Sequence, residues 1–243
     1  MIAVTNSNIT NRKGDSILKN KIKTADEAVA IINDGATIMV GGFMACGTPE
    51  ILIDALVKRG TKNLTIICND AGVPSRGVGK LVTAGQIKTL IASHVGLNPE
   101  VAQRMNTDIL EDKLECILVP QGTLAERVRA GGAGLGGFLT PTGIGTLVSE
   151  GKEVITVDGK EYLLEKPLKA DFALIRGSVT DKFGNTIYNG TTRNFNPIMA
   201  TAAEHVIVGA CEIVEINEID PNNVVTSGIF VDTIVGGEKP WEI

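Results

Sequence analysis

The chain has 243 residues, 43% of them hydrophobic, and a formal net charge of −5. This length and apolar content predict a globular protein with a large hydrophobic core. The small acidic excess is spread along the chain, which argues against nucleic acid as a partner because phosphate-backbone binding needs clustered basic side chains.

The first 22 residues are predicted to form a polar N-terminal arm, and residues 23–243 a single domain. The arm lacks the apolar core of roughly 7–15 residues that a secretory signal requires. No apolar run reaches the roughly 18 residues of a membrane helix, so we expect no membrane insertion and a cytoplasmic location. The four cysteines are far apart and form no CxxC pair, so neither a metal site nor a disulfide framework is expected.

The first predicted elements are a helix and a strand. Residues 24–35 begin with Thr24 and Glu27 at the spacing of a capping box and end at Gly35, which predicts a helix. The apolar run at residues 36–40 is typical of a strand that is covered on both faces of a parallel sheet.

A glycine-rich segment, GGFMACG at residues 41–47, follows this strand. The next helix is predicted to have Thr48 as its cap and Pro49 in its first turn, and to end at Gly60. The segment matches neither the GxGxxG nor the GxxxxGK[ST] phosphate loop, and Pro49 and a capping Thr48 would leave the helix start partly occupied. A phosphate site and a tight corner where the backbone approaches a ligand both stay open.

Short apolar strands recur along the first half of the chain, at residues 63–70, 87–95 and 114–120. The stretches between them are long enough for crossover helices. Residues 121–132 predict a further helix, in which Thr123 and Glu126 would form a capping box. This alternation predicts an α/β fold with an open, mainly parallel sheet and flanking helices.

The second half of the chain begins with a glycine-rich segment at residues 131–145. Its glycines alternate with apolar residues, which indicates close backbone packing against another group rather than a flexible linker. Residues 153–165 contain two β-prone runs around Asp158-Gly159, a strong signal of a β-hairpin that projects from the domain. Two more strands are predicted, at residues 170–179 and 205–216.

Two carboxamide side chains follow predicted strands, where ligands of open α/β sheets bind. Asn69 lies at the C-terminal end of the run LTIIC, and Gln121 directly follows CILVP. Amides at neighbouring strand ends would donate hydrogen bonds to a developing oxyanion without adding charge. The residues alone support an ordinary turn role for Asn69 equally well.

Other reactive residue types give weaker patterns. Cys46 lies in a glycine turn before a helix, where a thiolate would be stabilised, but neither histidine is near it in the sequence. We interpret His94 and His205 as structural. The absence of a GxSxG sequence argues against an α/β-hydrolase.

Four segments in order closely resemble the α-subunit of family I CoA-transferases, of the acetoacetate and 3-oxoacid type. They are NDGATIMVGGFMACGTPE, ICNDAG, VPQGTLAERVRAGGAGLGGFLTPTGIGTLV and RNFNP. The resemblance implies a Rossmann-like α/β fold shared with sugar-phosphate isomerases. It also implies a separate β-subunit, commonly in an α₂β₂ assembly, whose S-E-N-G motif supplies the catalytic glutamate. This chain lacks that motif, and we interpret Glu150 in the nearest match, Ser149-Glu150-Gly151, as a surface residue.

The resemblance implies ping-pong transfer in which coenzyme A is a substrate, so no permanently bound cofactor is expected. It places Asn69 as an oxyanion donor, with Gln121 assisting in the acyl pocket. It assigns contact with CoA to the residues of the first glycine segment, Gly41, Gly42, Phe43, Met44, Ala45, Cys46 and Gly47. It assigns the acyl pocket or the subunit interface to the second, Gly131, Gly132, Gly134, Gly136, Gly137 and Phe138.

Several substrates and functions stay open. The resemblance favours acetoacetate, acetate or butyrate, which are acids of short-chain fatty acid and ketone-body metabolism. A dicarboxylate or 3-oxoadipate is the alternative, and Arg127, Arg129 or Arg193 in the pocket would favour it. In another class, a sugar-phosphate isomerase or ligand-sensing module would act alone and need its own phosphate site. A chain that only supports an active partner is the third possibility.

Overall fold

The computed structural model describes residues 20–110 and 113–239, which form two β-sheets and six α-helices. The strands are β1 (Thr37–Val40), β2 (Leu64–Cys68), β3 (Ile87–Ala92), β4 (Glu115–Leu118), β5 (Phe138–Thr140), β6 (Val154–Val157), β7 (Lys160–Glu165), β8 (Ala170–Asp181), β9 (Thr186–Ile187), β10 (Ala203–Val214) and β11 (Thr233–Gly236). The helices are α1 (Ala25–Val29), α2 (Glu50–Arg59), α3 (Val78–Thr83), α4 (Pro99–Met105), α5 (Gln121–Gly132) and α6 (Asn196–Thr201).

The larger sheet has the strand order β11-β10-β8-β1-β2-β3-β4, and every pair along this path is parallel. The short strand β9 pairs antiparallel with β8. The chain builds outward from β1 to β4 and then continues on the other side of β1, so the strand order reverses between β1 and β8. Ligands of open α/β sheets bind at such a reversal, outside the carboxyl ends of the strands. The predicted α/β fold with an open, mainly parallel sheet is confirmed.

Helices cover both faces of this sheet, and each face has its own hydrophobic core. Successive residues of β1 point in opposite directions: Ile38 and Val40 pack with α1 to α4, and Met39 packs with α5 and α6. All three side chains are at most 1% exposed. This burial on both faces explains why the strand is a continuous apolar run in the sequence.

The smaller sheet contains the predicted hairpin and a strand that the sequence pattern did not indicate. Strands β6 and β7 pair antiparallel around Asp158 and Gly159, whose φ angles of 50° and 77° are those of a type I′ turn. The hairpin prediction is confirmed. The glycine-rich segment supplies the end of α5 and then β5, which pairs with β7. The segment is therefore structured, which its composition favoured.

The first helix is shorter than predicted. Its capping box is confirmed, because the Thr24 hydroxyl accepts the Glu27 N–H and the Glu27 carboxylate accepts the Thr24 N–H. The extension of the helix to Gly35 is wrong. Tertiary hydrogen bonds hold that part in a turn: the Gly35 N–H donates to the Lys62 carbonyl, and Asp34 accepts the Lys62 N–H.

The capping box predicted at the start of α5 is also wrong. A capping residue has extended backbone geometry, but Thr123 lies inside the helix, where the Leu124 N–H already donates to the Pro120 carbonyl at 2.8 Å. The Thr123 hydroxyl is buried without a hydrogen-bond partner. Glu126 instead forms an ion pair with Arg129.

Most of the predicted N-terminal arm, residues 1–19, lies outside the described residues. The Lys21 ammonium donates to the carbonyls of Phe183 and Gly228, and Ile22 pairs with Ile234 of β11. The proposed domain boundary stays a prediction. Within residues 20–110 and 113–239, no helix has the length and apolar character needed to cross a membrane.

Two glycines of α5 provide a matched test of the close packing predicted for the glycine-rich segment. A Cβ at Gly131 would lie 1.9 Å from the Leu168 carbonyl oxygen, whereas a Cβ at Gly122 would have no heavy atom within 4 Å. We expect G131A to lower the free energy of unfolding by about 2 kcal/mol or more, because backbone must move. The control G122A should raise it by up to about 1 kcal/mol. Equal effects in chemical denaturation would contradict this packing.

Candidate functional site

The carboxyl ends of β2, β3 and β4 bring three polar side chains into contact. Asn69 follows β2, Ser93 follows β3, and Gln121 is the first residue of α5 after β4. The Gln121 amide nitrogen donates to the Asn69 side-chain oxygen at 2.7 Å, and the Ser93 hydroxyl lies 3.1 Å from the same oxygen. The two amides predicted from the sequence are therefore in direct contact. The expectation that their strands are neighbours is wrong, because β3 separates β2 from β4 and its Ser93 bridges the gap.

The two amides differ in exposure. The Asn69 side chain is buried, with the residue 2% exposed, whereas Gln121 is exposed. A carboxamide nitrogen carries two N–H groups. Gln121 gives one of them to Asn69, and Asn69 gives one of its own to the Asp70 carboxylate at 2.8 Å. Each amide thus retains a second N–H, and that of Gln121 belongs to the exposed member of the pair.

Asp70 connects this pair to the first glycine segment. One carboxylate oxygen accepts the Asn69 amide and the Met44 backbone N–H, both at 2.8 Å, and the other accepts the Gly72 N–H at 2.9 Å. The residue is 7% exposed. Sequence reasoning missed Asp70, and its place directly after Asn69 is the only signal in the sequence that marks it.

The segment of residues 41–47 turns sharply at its centre. Phe43 and Cys46 exchange both backbone hydrogen bonds at 2.9 Å around Met44 and Ala45, whose φ angles are 48° and 63°. Left-handed backbone costs a residue with a Cβ atom about 1–2 kcal/mol. The turn nevertheless leaves Phe43 and Met44 43% and 53% exposed. Surrounding contacts must therefore hold a strained turn that presents two apolar side chains.

Asparagines of the RNFNP segment provide those contacts. The Asn194 side chain accepts the Gly42 N–H at 3.1 Å and donates to the Cys46 carbonyl at 3.0 Å. Asn196 approaches so closely that a Cβ at Gly41 would lie 1.8 Å from its side-chain oxygen. Close approach of these side chains explains the glycine at that position. Sequence reasoning missed both asparagines as site residues, although it had singled out their segment.

An open cleft of about 550 Å³ lies beside the turn. Its lining is mostly apolar and consists of Phe43, Met44, Cys46, Thr191 and Asn194. The Cys46 thiol lies 3.2 Å from the Thr191 hydroxyl. The cleft therefore suits an uncharged group more than a phosphate.

The start of α2 is occupied by a carboxylate from a distant part of the chain. The predicted cap is wrong: Pro49 is the cap residue, no side-chain cap is present, and the Thr48 hydroxyl packs against Gly42. The Ile51 N–H donates to the Glu238 carboxylate at 3.0 Å. A phosphate would have to displace this buried carboxylate, so the geometry favours the tight-corner interpretation of the turn.

The remaining predicted glycines lie in two different surroundings. Gly131 and Gly132 are on the last turn of α5, about 15 Å along the helix from Gln121 at 1.5 Å per residue. They pack against Leu168 and Thr201 of this chain. Gly137 lies against the Glu165 carbonyl, Phe138 begins β5, and Gly134 and Gly136 face open space. Their role at an acyl pocket or an interface stays a prediction.

The charged residues named from the sequence also have distinct surroundings. Arg127 donates to the Lys166 carbonyl and lies 3.8 Å from the buried Glu165 carboxylate. Arg129 pairs with Glu126 on the exposed face of α5. Arg193 is exposed and precedes Asn194, so it is the arginine nearest in sequence to the cleft. Glu150 is exposed, as interpreted from the sequence.

The pKa of Glu238 is raised to about 7, mainly by burial, which outweighs the opposing effects of the Ile51 N–H and of Arg176. The folded state therefore binds this proton more tightly than the unfolded state, whose carboxyl has a pKa near 4.5. Its contribution to stability is fully present below pH 4.5 and is lost as the pH rises through 7.

A glutamine at position 238 should remove this pH dependence, because it also accepts the Ile51 N–H but does not ionise. Between pH 5 and 8.5, we expect the wild-type free energy of unfolding to fall relative to that of E238Q by up to about 3 kcal/mol, at about 1.4 kcal/mol per pKa unit. Urea denaturation of both proteins across this range measures the difference. A difference that does not change with pH would contradict the assignment.

Comparison with known proteins places the site in a family. Residues 22–237 match the family model described as Coenzyme A transferase. The chain is 50% identical over 218 residues to the acetoacetyl-CoA:acetate/butyrate CoA transferase alpha subunit of Clostridium acetobutylicum, covering 90% of this chain and 98% of the relative. It is 49% identical over 214 residues to the corresponding subunit of the 3-oxoadipate CoA-transferase of Acinetobacter baylyi, covering 87% and 92%.

A solved structure agrees with this assignment. An acyl-CoA transferase of Escherichia coli, solved as a thioester complex with CoA, superposes with a TM-score of 0.75 at 25% identity over 90% of this chain. This chain spans about half of that longer chain, 47% of its length. The two relatives are named as single subunits of enzymes, which implies a second type of subunit. The chain thus belongs to the coenzyme A transferase family, as its alpha-type subunit.

Proposed function

We propose that this chain is the α-subunit of an enzyme that moves CoA between a short-chain acyl-CoA and a carboxylate, with acetoacetate, acetate or butyrate as substrates. The names of its relatives support this substrate class. The observation that carries the proposal is the Asn69–Gln121 amide pair at the carboxyl edge of the sheet, 2.7 Å apart, beside the strained turn of residues 41–47.

The proposed reaction is ping-pong and uses a glutamate on a separate β-subunit in an α₂β₂ assembly. The glutamate carboxylate attacks the acyl-CoA carbonyl, and the CoA thiolate leaves as an acyl-glutamyl anhydride forms. The thiolate then attacks the glutamyl carbonyl, which releases the first carboxylate and leaves a glutamyl-CoA thioester. An incoming carboxylate reverses these steps.

The chain's own residues would act on the charge of the tetrahedral intermediates. The second N–H groups of Gln121 and Asn69 are neutral donors, so they stabilise an oxyanion without attracting the free carboxylate substrate as an arginine would. The cleft beside Phe43 and Met44 would receive the uncharged part of CoA, consistent with its mostly apolar lining.

A second candidate keeps this chemistry with a different acid. The relative from Acinetobacter baylyi is named for 3-oxoadipate, which has a second carboxylate. Arg193 is the residue we would test first for that preference, because it adjoins Asn194 of the cleft. The isomerase or sensing alternative finds less support, since the Glu238 carboxylate occupies the helix start where its phosphate would bind.

The first test concerns the need for a partner. Because no S-E-N-G motif is present, we expect no measurable CoA transfer from this chain alone and transfer once the β-subunit is added. Acetyl-CoA with a panel of acetoacetate, butyrate, 3-oxoadipate and succinate measures both the activity and the preferred acid. Sedimentation of the mixture gives the stoichiometry. Transfer by the isolated chain would overturn the proposal.

The second test concerns the amide pair. In the assembled enzyme, we expect N69A to lower kcat by roughly 10²–10³, because it removes one donor and the hydrogen-bond partner of the other. The control N106A truncates an exposed asparagine at the end of α4 and should leave kcat unchanged. Steady-state kinetics with matched assembly of both variants measures the effect. Unchanged turnover in N69A would reduce this chain to a support for its partner.

A further inference from the structure

The amide pair forms a hydrogen-bonded chain with a defined direction. Gln121 donates to Asn69, and Asn69 donates to Asp70. A carboxamide has a donor end and an acceptor end that differ little in shape, so neither amide fixes its own orientation. An ionised carboxylate only accepts hydrogen bonds. The end of the chain at Asp70 therefore decides which way both amides face.

The other contacts of Asp70 hold it in this role. The backbone N–H groups of Met44 and Gly72 also donate to its carboxylate, so its three hydrogen-bond partners among the described residues are all donors. The carboxylate is therefore fixed in position by backbone, and Asn69 must present its nitrogen to it. The Asn69 oxygen then faces Ser93 and Gln121, which requires Gln121 to present its nitrogen as well.

We infer that Asp70 is a positioning residue that sets the direction of the Asp70–Asn69–Gln121 chain, and thereby points the exposed Gln121 N–H at the developing oxyanion. This inference rests on the proposed function, and it assigns Asp70 no contact with substrate. Asparagine at position 70 would offer an N–H to the Asn69 oxygen. Both amides would then rotate, and a carbonyl lone pair of Gln121 would replace the N–H that faces the oxyanion.

Because Asp70 also holds the Met44 N–H, a loss of activity in D70N has two possible routes. One acts through Gln121, and the other acts through the turn and the cleft beside it. The two routes differ in their kinetics: a misdirected amide lowers kcat with little change in KM, whereas a displaced turn raises the KM for acyl-CoA. They also differ in their dependence on Gln121.

A double-mutant cycle of D70N and Q121A in the assembled enzyme separates these routes. We expect D70N to lower kcat by about 10²-fold, Q121A to lower it similarly, and the double variant to be no worse than Q121A alone. The matched control is D171N, which also replaces a carboxylate that accepts a backbone N–H, that of Thr37 at the opposite end of β1, and should leave kcat unchanged. If D70N does not assemble, Asp70→Ser takes its place in the cycle.

Each outcome has a distinct meaning. Losses in D70N and Q121A that multiply, a raised KM without a change in kcat, or wild-type turnover in D70N would each overturn the positioning role while the proposed function stands. Wild-type turnover in both Q121A and N69A would overturn the proposed function, and the inference with it.

Discussion

A buried carboxylate that accepts every hydrogen bond offered to it is the constraint on which the carboxyl edge of this sheet depends. Asp70 gathers the Asn69 amide, the Met44 N–H and the Gly72 N–H, which come from a strand end and two loops. A buried carboxylate without such donors would be costly, so the three loop positions and the charge stabilise one another. The position of the exposed amide and the shape of the glycine turn are thus consequences of one local balance.

The turn shows how such balance maintains strain. Left-handed backbone at both Met44 and Ala45 costs about 1–2 kcal/mol each, and no glycine relieves it. Asp70 and Asn194 offset this cost by bonding backbone groups on both sides of the turn, each bond contributing about 1 kcal/mol net or more with a charged partner. Strain of this kind is tolerated where surrounding contacts determine the backbone, as they do here.

Features that depend on neighbouring residues could be predicted from the sequence, and those that depend on distant contacts could not. The apolar run of β1, the hairpin at Asp158-Gly159 and the capping box at Thr24 require only local chemistry, and the structure confirms them. The family resemblance supplied the functional class, which no local pattern specifies. Thr48 had the composition of a helix cap, but Glu238 approaches that helix from the other end of the chain. Asp70 could not be recognised because its partners include a loop 26 residues away, and no periodicity encodes such a pair.

The buried charge of Asp70 raises a question of compatibility with the proposed chemistry, since an oxyanion beside a carboxylate is unfavourable. At an effective dielectric constant of 20, two unit charges about 4 Å apart repel by about 4 kcal/mol, and doubling the distance halves this energy. Asn69 separates the two by a full amide and two hydrogen bonds while its orientation is transmitted to Gln121. An arginine at the same place would stabilise an oxyanion more strongly but would also hold the carboxylate product. A neutral chain of amides anchored on a distant charge therefore suits a reaction in which a carboxylate must both enter and leave.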